Sequence, residues 1–212
     1  MTAHAFPDVI DQLVGTQAGG PIDAIRSRRP PARLHAQQSY QALFDPAAGA
    51  TGQASAFRSV ERYAIATFVA ALHGQPAFVD FYAAGLALSG ASAALQGAVV
   101  AEAAHGVASG PYGSYPAGTL SAEDVAGPDY AVSPERRAVL GTRLAAALAH
   151  AHLLVLHPRD AKADALRALL DADWSPDDIV TLSQLVSFLS FQVRVVVGLR
   201  ALSDAPQAAS LN

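Results

Sequence analysis

The chain of 212 residues carries 14 basic and 18 acidic side chains, a formal net charge of −4, and no cysteine. That length suffices for one large domain or two closely packed halves around a core of useful size. The lack of cysteine excludes disulfides, thiolate metal sites and any cysteine nucleophile, and a weakly acidic chain whose only lysine is Lys162 offers no footprint for nucleic acid.

Met1 to Gly15 has no basic flank leading into an apolar core, so no targeting segment is expected and a cytoplasmic location is the default. Up to Pro46, Gly19, Gly20, Pro21, Pro30 and Pro31 divide the chain into short helical candidates, an N-terminal extension over residues 1–46. Residues 47–55 are Ala, Gly, Thr, Gln and Ser, the chemistry of a linker. Beyond it, residues 56–202 read as one helical domain and 203–212 as a tail. Phe57, Val60, Ala64, Phe68, Ala71 and Leu72 recur at helical spacing and predict a helix from about Phe57 to Leu72, ended by Gly74. Pro76 starts a second, to about Ser89, with Phe78, Phe81, Tyr82 and Leu86 as an aromatic stripe, and a third covers roughly Ser92 to Ala108.

Residues 110–133 hold Pro111, Gly113, Pro116, Gly118, Gly127 and Pro128 and predict a long loop. Ser133-Pro134-Glu135 then opens an alanine-rich helix that ends before Pro158, and Asp160 is the expected cap of a short helix after it. Ser175-Pro176-Asp177-Asp178 opens the last helix, through about Leu202. Its charge-free core, Ile179 to Val193, falls short of the about 18 residues of a membrane span and reads as a buried helix. Its apolar residues surround the axis. With 51% hydrophobic and 15% charged residues overall, part of that surface is expected between the subunits of a homo-oligomer, with a symmetric dimer the smallest closed unit. No segment shows the period of a strand, so the fold class is all-α.

Several polar residues admit two readings. Glu102 and His105 are spaced i, i+3, as in carboxylate-bridged metal bundles, but the second copy and the further glutamates such a site needs are missing, so no metal is expected. His150 and His152 point to different helix faces and His157 sits near a helix end; all three read as structural. Arg194, inside an apolar helix, needs an acidic or carbonyl partner, whether it ties helices together or binds an anionic group. Tyr63, Phe78, Phe81 and Tyr82 either line a pocket or form ordinary core.

The segment Val60 to Leu86 resembles the peroxidase-related branch of the alkylhydroperoxidase D and carboxymuconolactone decarboxylase family. In that family a helix rich in arginine and glutamate leads to Ser-Ala-Leu-Asn, Cys-x-x-Cys and a histidine four residues later. Here Ala70-Ala71-Leu72-His73-Gly74 stands at the turn, with His73 in place of asparagine, and Gln75, Phe78 and Tyr82 occupy the two cysteine positions and the histidine position. The proton-relay glutamate, twelve residues before the first cysteine, falls on Tyr63. Asp164-Ala165-Leu166-Arg167, Asp173-Trp174-Ser175 and Ile179 are similar to a later family run, and Phe191, Arg194, Gly198 and Leu199 to its last helix. The N-terminal Ala24-Ile25-Arg26, Arg29-Pro30 and Gln38 to Phe44 are similar to a cysteine-free subgroup.

The resemblance implies a helical bundle of the alkylhydroperoxidase D-like kind, without cofactor, and a candidate pocket of Tyr63, His73, Gln75, Phe78, Tyr82 and Arg194. It also removes one activity. Peroxide reduction by the family mechanism needs a thiolate to attack oxygen and a second thiol to resolve the sulfenic acid, and neither Gln75 nor Phe78 does this. What the resemblance leaves is a small-molecule-binding or structural protein, or an enzyme of another chemistry, a decarboxylase or isomerase, using His73 with Tyr63 or Tyr82. Tyrosine is a poor base near its ordinary pKa of about 10.

Overall fold

The computed structural model describes residues 8–45 and 56–205, and those residues form an all-α protein. The helices are α1 (Val9–Val14), α2 (Pro21–Ser27), α3 (Pro30–Phe44), α4 (Ser59–Leu72), α5 (Pro76–Leu88), α6 (Ala93–Gly106), α7 (Pro134–Leu156), α8 (Ala163–Leu170) and α9 (Pro176–Asp204). The expected linker at 47–55 and the end of the expected tail lie outside the described residues.

Local chemistry sets most helix starts. Ser92, Ser133 and Ser175 accept backbone N–H groups of Leu95, Arg136 and Asp178, and proline occupies the first turn of α5, α7 and α9. Three expectations differ from what is seen. Helix α3 is 15 residues long, so the extension is not made of short helices alone. Helix α7 is broken at Gly141, where φ +76° and ψ 161° define a backbone that only glycine adopts readily. Asp160 does not cap α8, because its carboxylate instead accepts the backbone N–H of Ser114, 46 residues away. The long loop carries one 3-10 turn, Thr119–Glu123, and a single bridge between Gly113 and Val125.

Helix α4 is the centre. It packs against α3, α5, α6, α7 and α9, and Ala64 through Ala70 are all buried. Helices α1, α2 and α3 lie on α9, and Val9, Ile10, Leu13, Leu43 and Phe44 belong to the same core as α4 to α9. The extension is therefore one body with the rest, and within it Arg26 pairs with Asp8 and Arg33 with Asp11 and Asp23. Arg200 on α9 also donates to the carbonyl of Leu13. By length and composition alone α7 and α9 are each long and apolar enough to cross a bilayer, which corrects the reading of the last helix as too short.

Burying α4 on nearly every side takes Glu61 and Arg62, each 2% exposed, into the core. Arg62 donates to the carbonyls of Phe57 (2.9 Å) and Leu43 (2.7 Å) and lies over the Phe57 ring. Glu61 accepts the backbone N–H of Arg58 and the Arg143 guanidinium. Arg143 also reaches Asp178 and the carbonyl of Asp173, and stacks 4.1 Å over Trp174, whose indole N–H donates to the Arg143 carbonyl. One guanidinium thus joins the starts of α4 and α9 to the middle of α7. Replacing it by methionine leaves buried carboxylates short of a cation, and Arg143→Met should lose about 3 kcal/mol of stability in urea unfolding. A loss below about 1 kcal/mol would show that Arg58 and Arg62 compensate those carboxylates alone.

Candidate functional site

The six residues named from the sequence divide between two places. Phe78 and Tyr82 are wholly buried, and Tyr63 is half-buried. Around them Phe44 packs 5.0 Å from Tyr63 and 5.3 Å from Tyr82, Tyr40 packs 4.9 Å from Phe44, and Phe81 meets Tyr82 edge-on. Gly85 lets α5 approach α4 here, since a Cβ at that position would fall 2.2 Å from the Tyr63 ring. The Tyr82 hydroxyl donates to the Gln192 side-chain carbonyl at 2.5 Å. Burial first, and then Tyr40, push the Tyr82 phenol well above its ordinary value, and burial and Tyr63 do the same to Tyr40. These tyrosines are protonated core groups. Gln75 caps the start of α5 with its backbone carbonyl, which accepts the N–H groups of Phe78 and Val79.

His73 and Arg194 lie elsewhere and come together. Both line a cleft of about 610 Å³ with Leu72, Ser109, Gly110, Leu156, Ser187 and Ser190 among its other walls. Its sides are the end of α4, the chain after α6, the end of α7 and the middle of α9, and the loop is pinned there by Tyr112 N–H on the Leu156 carbonyl. His73 ends α4, where Gly74 with φ +64° turns the chain away. Its Nε2 lies 3.2 Å from Ser190 Oγ. One turn further along α9, the exposed Arg194 guanidinium donates to the Ser190 carbonyl at 2.7 Å. Arg194 is therefore neither buried nor a tie between helices, because at its place on α9 the side chain reaches solvent and the cleft rather than the core.

Comparison with protein-family models, curated proteins and solved structures finds no match to this chain. The chemistry of the cleft therefore rests on its own groups. Burial first, and then the Arg194 charge, hold the His73 pKa below its ordinary value of 6.5, so the ring is neutral at pH 7. The cleft presents a neutral imidazole, three serines and one cation.

The other polar residues singled out, His150 apart, have structural partners. Glu102 is 0% exposed, not solvated, and its oxygens accept from the Tyr130 hydroxyl, the Ser133 N–H and the Arg136 guanidinium. Burial alone would raise its pKa, but these donors together lower it. His105 is exposed beside Tyr130. His152 stacks on Tyr130 at 4.3 Å and bonds the Gly106 carbonyl, while His157 faces Asp160 and the Pro128 carbonyl. The charged cluster of Glu61, Arg62, Arg143 and Asp178 was not singled out beforehand; its only signal was the Glu61-Arg62 pair inside an apolar segment.

Burial lowers the pKa of His73, His150 and His152 alike. Above pH 6.5 these rings are neutral in both the folded and the unfolded chain. As the pH falls below that value the unfolded chain binds protons that the folded chain refuses, so stability must fall. Urea unfolding at pH 8, 7, 6 and 5 should show a constant midpoint between 8 and 7 and a progressive loss from 6.5 downward. A flat profile to pH 5 would mean that the three rings stay accessible to protons.

Proposed function

We propose that the protein is a cysteine-free relative of the alkylhydroperoxidase D and carboxymuconolactone decarboxylase group that binds a small anionic molecule in the His73–Ser190–Arg194 cleft. The observation that carries this reading is the convergence of His73 and Arg194, 121 residues apart in sequence, on one cleft with a serine between them. Arg194 makes no ion pair among the described residues, and its fork suits a carboxylate or phosphate. The neutral His73 ring and the serine hydroxyls add hydrogen bonds without a second charge to desolvate. An all-helical chain with its centre on the α4–α5 hairpin is consistent with the family's bundle.

The enzymatic reading with His73 and Tyr63 or Tyr82 loses ground, because neither tyrosine lines the cleft that holds His73 and the Tyr82 hydroxyl is committed to Gln192. Titrating benzoate and inorganic phosphate into protein labelled at histidine should shift the His73 ring signal saturably and raise its pKa, since a bound anion stabilises the charged form. Arg194→Gln should weaken that binding about ten-fold, or ~1.4 kcal/mol. Equal affinity in the variant would overturn the anion site.

We further propose a homo-oligomer of a water-soluble protein in which α7 and α9 are core helices. Both lie against several neighbours, yet Val180, Phe191, Val197 and Leu202 leave apolar surface exposed on α9. Helices α1 to α3 cover part of α9, with the Tyr40 ring 6.5 Å from that of Phe188, whereas Leu34 is exposed. Light scattering after size exclusion at micromolar concentration should give a dimer mass or a multiple of it. A monomer mass would mean that the extension already provides cover enough.

A further inference from the structure

His150 is a buried histidine that the cleft does not use. It is 5% exposed, and neither ring nitrogen has a hydrogen-bond partner among the described residues. Its side chain lines a separate cavity of about 440 Å³ between α7, α8 and residues 130–132, within the size range of small-molecule pockets. The walls are largely short side chains, including Ala145 and Ala149 from α7 and Ala165 and Ala168 from α8. Leucines at those places would close the space, so the alanines keep it open. The flank is a weak one. Helix α8 has eight residues, is anchored by the buried Leu169 and leaves Leu166 and Leu170 exposed, and α7 is broken at Gly141 beside the cavity.

A neutral imidazole carries one donor and one acceptor, and leaving both unpaired inside a protein costs free energy that an apolar wall cannot return. A half-turn of the ring exchanges each nitrogen with a carbon, so either edge can be offered to the cavity without moving the backbone. Arg137 and Asp171 both line the cavity, so its charges cancel and favour a neutral occupant. We infer that this cavity binds a small apolar molecule carrying one hydroxyl group, a phenol or short alcohol, whose oxygen hydrogen-bonds the His150 imidazole. The apolar body fills the alanine-lined space. The hydroxyl serves whichever role the facing nitrogen needs, since it both donates and accepts.

The test uses the full chain labelled at histidine, with phenol as the probe and benzene as its isostere without the hydroxyl. Phenol should shift the His150 ring signal saturably and bind about five-fold tighter than benzene or better, the value of one net hydrogen bond. In His150→Phe the two probes should bind equally. Ala149→Leu, which fills the space and keeps His150, should abolish binding of both while circular dichroism stays that of the parent. If His150→Phe does not fold, the parent's preference for phenol and its loss in Ala149→Leu decide the matter. Absence of a saturable shift, equal affinity for phenol and benzene in the parent, a preference that survives in His150→Phe, or binding undiminished in Ala149→Leu each overturns the inference.

Discussion

A helix with no face for solvent must find partners for every polar group it takes inside, and α4 imposes that constraint on the whole molecule. Its apolar residues require neighbours on all sides, supplied by α3, α5, α6, α7 and α9. Its first turn carries Glu61 and Arg62 into the same dry surroundings. An unpaired charge there would cost several kcal/mol. Arg143 reaches across from α7 to meet Glu61 and Asp178, and Arg62 takes the carbonyls at the end of α3 and before α4. The charged groups thereby fix where α3, α7 and α9 can lie, which hydrophobic contacts alone would leave loosely determined.

The same accounting separates structural polar groups from candidate functional ones. Glu102 spends its oxygens on Tyr130, Ser133 and Arg136, and so fastens the end of the long loop to the start of α7. His152 is used by Tyr130 and the Gly106 carbonyl. Arg194 has one carbonyl of its own helix and an open cleft in front of it, and His150 has no partner at all among the described residues. Recognition capacity remains where hydrogen-bonding capacity is unspent.

Helix starts were legible from sequence because a cap is local chemistry: a serine, a proline and a nearby acid act within one turn. The break at Gly141 was not, since an isolated glycine in a helical run is tolerated in most settings. Asp160 misled for the opposite reason, because its local role as a cap lost to Ser114, a partner that only the folded chain brings near. Arg194 reversed its expected environment. An arginine in an apolar run reads as buried, but whether a helix position faces core or solvent depends on what packs beside it. His73 and Arg194 were both named in advance, yet their shared cleft depends on the path of the chain after α6, which no periodicity encodes.

On the register proposed for the family resemblance, the positions that would carry thiols, histidine and glutamate hold Gln75, Phe78, Tyr82 and Tyr63. Two of these rings, Tyr63 and Tyr82, are packed by Phe44, a residue of α3 in the N-terminal extension. Aromatic residues at these positions suit the cover that α3 provides. A carboxylate at position 63 beneath Phe44 would be desolvated, whereas tyrosine brings a large apolar ring, and at position 82 its hydroxyl is satisfied by Gln192. The extension thus gains a hydrophobic seat on these rings. At the end of α4, His73 lies beyond the reach of that cover and beside a helix that presents a cation to the cleft.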